Sequence, residues 1–108
     1  MAESIDINEM KRILSGGEPL ILLDVRRRAD VEADPRRIPG AAWRDPEQID
    51  TWVKQVPAGR RTVLYCVKGG SVSQSAADLL KKEGVDAVFL AGGLNAWIDT
   101  GESVEEID

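Results

Sequence analysis

Three short apolar runs constrain this chain more than any other feature: Leu20-Ile21-Leu22-Leu23-Asp24-Val25, Thr62-Val63-Leu64-Tyr65-Cys66 and Ala87-Val88-Phe89-Leu90. Their apolar residues stand side by side rather than alternating with polar ones. A strand with one wet face alternates, so unbroken apolar strands of this length belong to a sheet covered on both faces, the mark of parallel strands joined by helical crossovers. The segments between them carry the matching helical pattern. Asp6, with Glu9 three residues on, is a capping-box-like start for a helix from Ile7 to about Ser15, ended by Gly16-Gly17. Asp45-Pro46 opens a second helix, with Ile49, Trp52, Val53 and Val56 at three- and four-residue steps and Pro57-Ala58-Gly59 as its stop. Val72, Ala76, Leu79 and Leu80 share one face of a third, closed by Lys81-Lys82-Glu83-Gly84. A last short helix, Leu94 to about Thr100, follows the Gly92-Gly93 turn. Ser4-Ile5 reads as an edge strand, Ile38-Pro39-Gly40-Ala41 as a turn, and Ala42-Trp43 as a short strand. The expected fold is α/β, a mainly parallel sheet with helices on both faces. At 108 residues the chain fits one domain, residues 1–108.

Composition narrows the chemistry. With 14 Lys+Arg against 19 Asp+Glu the net charge is −5, which speaks against nucleic acid or an anionic membrane as a partner of the whole molecule. The charge is uneven: Arg26-Arg27-Arg28, Arg36-Arg37 and Arg60-Arg61 are basic, whereas the tail from about 99 to 108 carries only acids. Such arginine clusters either belong to a solvated mixed-charge surface or draw a small anion to one face. The apolar stretches are too short to span a bilayer, and the N-terminus lacks signal-peptide character, so a cytoplasmic location is expected. The chain has no histidine, which removes Cys-His and Ser-His-Asp catalysis, and its one cysteine, Cys66, has no intrachain partner for a disulfide. No metal site is expected, because zinc needs at least three protein ligands and carboxylates alone suit it poorly. No cofactor is expected either.

Cys66 stands at the end of a buried strand, where α/β sheets bind ligands, and is followed by Val67-Lys68-Gly69-Gly70-Ser71-Val72. Gly69 and Gly70 let the backbone curl so that successive N–H groups converge, and the helix that follows adds its positive end. The result is an anion cradle beside a sulfur whose thiolate form is the nucleophile. Lys68 adds a mobile cation, and Ser71 and Ser73 are candidate helix caps or hydroxyl donors. The competing reading takes Cys66 as a small buried hydrophobe. The loop is no Walker A motif, since lysine precedes its glycines. Trp43, Trp52 and Trp97 are read as core anchors, with an interface as the alternative.

Four ordered segments, "LLDVR" (22 to 26), "RIPGA" (37 to 41), "YCVKGGSVS" (65 to 73) and "LAGGLNAW" (90 to 97), resemble the rhodanese-like sulfurtransferase family over essentially the full length. The resemblance implies a rhodanese-like three-layer domain, a five-stranded parallel sheet between helices. It implies that Cys66 takes a sulfane sulfur from a donor such as thiosulfate, holds it as a persulfide, and passes it to cyanide or a thiol, with a protein acceptor as a further partner. Val67, Lys68, Gly69, Gly70, Ser71 and Val72 would bind the persulfide or the donor, Lys68 recognising the anion. Asp24 and Arg26 would support the loops through charge pairs, and Gly92-Gly93 and Trp97 would be a turn and a packing anchor. Two positions depart from the family pattern: Ser71 stands where an arginine is usual, and Arg37 where a histidine is usual.

Two other readings remain open on the residues alone. A fold of this kind also serves as a non-catalytic binding or regulatory module. Cysteine-dependent phosphatases and arsenate reductases use a related loop, but they clamp their oxyanion with an arginine six residues past the cysteine, and here that residue is Val72.

Overall fold

In the computed structural model, which describes residues 2–17 and 19–107, the apolar runs form the centre of one parallel sheet. Met1, Glu18 and Asp108, the last residue of the acidic tail, lie outside the described residues. The elements in chain order are β1 (Glu3–Ile5), α1 (Ile7–Ser15), β2 (Leu20–Asp24), α2 (Arg28–Ala33), β3 (Arg36–Arg37), β4 (Ala42–Trp43), α3 (Ile49–Trp52), β5 (Arg61–Tyr65), α4 (Ser71–Lys82), β6 (Asp86–Leu90), α5 (Gly93–Asp99) and β7 (Glu105–Glu106). Five strands pair in the order β1-β6-β5-β2-β4, each neighbouring pair parallel, so their carboxyl ends lie along one edge. Strand β5, which Cys66 directly follows, is in the middle.

Successive side chains of each strand feed opposite cores, as strand geometry requires. Leu22, Val63, Tyr65, Val88 and Leu90 pack with Met10, Leu94 and Trp97 under α1 and α5. Leu23, Leu64, Ala87 and Phe89 pack with Trp52, Ala76, Ala77 and Leu80 under α3 and α4. This two-sided burial is why the runs do not alternate. At ~25 cal/mol per Å² each large side chain so buried stabilises the fold by about 1.5–3 kcal/mol.

The helix ends follow the expected chemistry at α1, where the Asp6 side chain accepts from the Glu9 amide at 2.8 Å. The segment after Asp45-Pro46 differs from the continuous helix that its periodicity predicts. It is a 3-10 turn (Pro46–Gln48), one turn of α-helix and a second 3-10 turn (Val53–Gln55). Asp45 caps the first of these by accepting from the Glu47 amide at 2.9 Å, and the Trp52 indole donates to the Asp45 carbonyl at 2.8 Å. So short a segment gains little from helical cooperativity, and docking Trp52 and Val53 into the core sets its path instead.

Trp52 and Trp97 are core anchors, whereas Trp43 is half-buried, donates to the Arg26 carbonyl at 2.9 Å and carries the Arg28 guanidinium over its ring. The acidic tail is docked: β7 pairs antiparallel with β3, and the Arg37 Nε donates to Glu105 Oε1 at 2.8 Å. Among the described residues no helix is long and apolar enough to cross a membrane.

Candidate active site

Cys66 follows the last residue of β5 and is 6 % exposed. It opens on a pocket of about 250 Å³ whose lining includes Val67, Lys68, Gly70, Ser71 and Val72, together with Arg26 and Arg27, just past the end of the neighbouring strand β2, and Asp30 of α2. The register explains this convergence. Asp24 pairs with Tyr65 across the parallel β2–β5 ladder, so the residues just past both strand ends emerge side by side.

Gly69 does not line the pocket; it faces the other way, with φ +72°. A Cβ there would come within 2.7 Å of the Gly92 amide nitrogen and 2.9 Å of the Leu90 carbonyl. Gly93, with φ +60°, approaches from the opposite side, and a Cβ on it would run into the carbonyls of Cys66 and Val67. Two glycine backbones therefore pass in contact, and the amides of Leu94 and Asn95 donate to the Cys66 and Val67 carbonyls at 2.9 and 3.0 Å. The late Gly92-Gly93 segment is thus more than a turn: it holds the cysteine loop by its carbonyls.

With those carbonyls engaged, the amides of residues 67 to 73 find no acceptor among the described residues, and Val67, Lys68, Gly70, Ser71 and Val72 line the sulfur's pocket. Gly70 occupies the N-cap of α4 without a side-chain cap, so the first-turn donors of a 12-residue helix stay unsatisfied. Neither Ser71 nor Ser73 caps this helix, contrary to one sequence expectation. Ser71 is exposed at its first position, and Ser73 is fully buried with its Oγ 3.2 Å from Cys66 Sγ and 3.4 Å from the Gly70 carbonyl. A hydroxyl so placed donates to a thiolate and accepts from a thiol.

Asp24 and Arg26 are each 1 % exposed and form a side-on pair, with Nη2 to Oδ2 at 2.8 Å and Nε to both carboxylate oxygens at 3.0 Å. Arg26 also donates at 2.8 Å to the carbonyls of Asp34 and Arg36, tying the α2–β3 segment to the sheet. Tyr65, beneath this pair, accepts from the Ile38 amide at 3.2 Å, and burial, then the Asp24 charge, push its hydroxyl well above the ordinary tyrosine range. Arg26 reaches the pocket wall, but its guanidinium is spent on structure.

The chain matches known proteins over most of its length. The family model of the rhodanese-like domain matches residues 6–100. The chain belongs to the rhodanese-like domain family. Among curated relatives, a protein named "Sulfurtransferase" from Allochromatium vinosum is 28% identical over 94% of this chain and 92% of its own length. The "Probable adenylyltransferase/sulfurtransferase MoeZ" of Mycobacterium tuberculosis is 38% identical over 87% of this chain, which spans only 24% of that protein. Among solved structures, a thiosulfate sulfurtransferase from Pseudomonas aeruginosa superposes with a TM-score of 0.81 at 27% identity, over 99% of this chain and 20% of that one.

Sequence reasoning passed over Arg27 and Asp30 as residues of this rhodanese-like pocket. The signal was present in the strand pairing. Once β2 and β5 are adjacent and parallel, whatever follows Asp24-Val25-Arg26 must lie beside the cysteine loop.

Proposed function

We propose that this protein is a sulfurtransferase of the thiosulfate type that carries sulfur as a persulfide on Cys66. The observation that supports this most is the single thiol at the carboxyl end of the central strand, inside a pocket bordered by unsatisfied amides. The Cys66 thiolate attacks the outer sulfur of thiosulfate; a new S–S bond forms, the old one breaks, and its electron pair leaves on sulfite. The terminal sulfur of the Cys66 persulfide carries negative charge, and the amides of Val67, Lys68, Gly70, Ser71 and Val72 at the α4 N-terminus stabilise it. An acceptor thiolate, or cyanide, then attacks that terminal sulfur and releases Cys66 as thiolate. Atoms and electrons balance without an added oxidant or reductant.

The absence of histidine is compatible with this cycle, since both nucleophiles react as anions and no proton needs to be moved in either displacement. Burial bears on the acceptor. Cys66 is nearly covered, but a persulfide extends the reactive atom by about 2 Å toward the pocket mouth. A small thiol or the tip of a protein segment can reach it there. Lys68, exposed on the pocket wall, meets the donor's sulfonate. Such chemistry suits a reducing compartment such as the cytoplasm, where a lone thiol stays free.

The test is turnover with thiosulfate and cyanide, following sulfite and thiocyanate together. Equal amounts of both products from the wild-type protein, and neither from Cys66→Ser, support the reading. Absence of both products from the wild-type protein with thiosulfate contradicts it.

A further inference from the structure

A second cavity, of about 320 Å³, opens beside the cysteine pocket. Arg27, Ser71 and Val72 line both, so the two meet at the start of α4. From there the second cavity follows the helix. Val72, Ser75, Ala76 and Leu79 recur at three- and four-residue steps, one stripe of α4, and Pro46 and Ile49 form the facing wall. At 1.5 Å per residue the stripe from Val72 to Leu79 is about 10 Å long. Pro46, Ile49, Val72 and Leu79 are only half-buried, so the groove keeps apolar surface uncovered. Glu47, on the same wall as Ile49, is exposed. Its amide donates to Asp45, but its carboxylate has no hydrogen-bond or ion-pair partner among the described residues.

We infer that this groove docks the sulfur acceptor, and that the acceptor is a protein presenting its thiol in an extended segment with an apolar and a basic side chain close by. The inference rests on the sulfurtransferase reading for the sulfur delivered, though not for the groove. An extended chain advances about 3.3 Å per residue, so about three residues fill the stripe. With the acceptor thiol at the shared mouth, a side chain two positions on falls between Ile49 and Leu79. A small thiol would leave that length empty. Arg27 belongs to the mouth, and the unpaired charge on the groove wall is Glu47, which favours a lysine or arginine in the segment. The acceptor thiolate, its proton given to solvent, attacks the terminal sulfur of the Cys66 persulfide. The bond from that sulfur to Cys66 breaks with its electron pair remaining on Cys66, and the acceptor leaves as a persulfide.

The test uses the full chain with Cys66 converted by methyl methanethiosulfonate to its methyl disulfide, whose outer sulfur stands where the persulfide's terminal sulfur would. Synthetic peptide thiols release free Cys66, followed by intact mass. Each rate is divided by that of the same peptide with the methyl disulfide of free cysteine. Peptides carrying leucine two residues from the cysteine, on both sides, are expected to react about tenfold faster than glycine counterparts. Ser75→Trp, which fills the groove from an exposed position, is expected to abolish that preference. Lysine three residues out is expected to outrun glutamate there about threefold, and Glu47→Lys to reverse the order. Equal rates for the leucine and glycine peptides in the wild-type protein overturn the groove. So does a leucine preference that survives Ser75→Trp, or a lysine preference that survives Glu47→Lys. This exchange needs no persulfide. A groove-dependent preference in a protein that takes no sulfur from thiosulfate therefore upholds the docking site while refuting the sulfurtransferase reading, and persulfide discharge by 2-mercaptoethanol with no peptide preference refutes the docking site alone.

Discussion

The Leu94 amide donates to the Cys66 carbonyl at 2.9 Å, and this bond is possible only because residue 93 has no side chain. Gly93 sits at φ +60°, where a Cβ would run into the carbonyls of Cys66 and Val67. The α5 start and the cysteine loop are therefore one construction, and the loop's amides border the pocket because its carbonyls are held from behind.

Gly93→Ala puts a Cβ into the Cys66 carbonyl and strains a left-handed backbone, so it must move the loop. The expected cost is more than about 1 kcal/mol of stability from the backbone conflict, and on the order of 10²-fold in sulfur transfer from displacement of the reacting sulfur. Gly59→Ala is the control, since nothing lies within 4 Å of a Cβ there and its φ is not positive. Denaturant midpoints and thiosulfate turnover for both variants check this.

The Asp24–Arg26 pair gives a second prediction. Asp24→Asn keeps the shape but leaves the Arg26 charge buried and unpaired, and removing one partner of such a pair costs about 3–5 kcal/mol. The same change loosens the α2–β3 segment that Arg26 holds through the Asp34 and Arg36 carbonyls. A fall in chemical denaturation midpoint, with amide exchange accelerated around residues 34 to 38, is the expected result.

The tail responds to acid. The backbone amide of Gly40 and then the Arg37 guanidinium hold the Glu105 carboxyl below its usual range. A carboxylate whose value is depressed by docking stabilises the docked state at pH above its undocked value and loses that contribution as pH falls through the docked one. The β3–β7 pairing is therefore firm at neutral pH and released first on acidification, before the sheet. Protection of the Ile107 amide, which donates to the Pro35 carbonyl at 2.7 Å, should fall below about pH 4.5, while that of Val63 and Leu64 persists.

Much of this architecture is legible in the sequence because the sheet is buried on both faces. β2, β5 and β6 announce themselves as unbroken apolar runs, and Cys66 is recognisable from its place at a strand end before two glycines. What escapes sequence reading depends on pairings between distant residues. β7 consists of Glu105 and Glu106, whose strand character comes from Arg36 and Arg37 some 68 positions away. Helix α2, Arg28–Ala33, buries no residue and so carries no apolar stripe. The 3-10 turns around α3 follow from how Trp52 docks rather than from local spacing. Arg27 escapes for a related reason: in sequence it is one of three arginines, and only the parallel pairing of β2 with β5 separates the one in the pocket from the two that are spent.

The central claim is that Cys66 carries sulfur, and the most direct measurement is the intact mass of the protein after incubation with thiosulfate and removal of excess donor. The account predicts a gain of one sulfur atom, reversed by cyanide or a reducing thiol and absent in Cys66→Ser. An unchanged mass in a folded protein whose Cys66 still reacts with methyl methanethiosulfonate, with thiosulfate and with other sulfane donors alike, would contradict it.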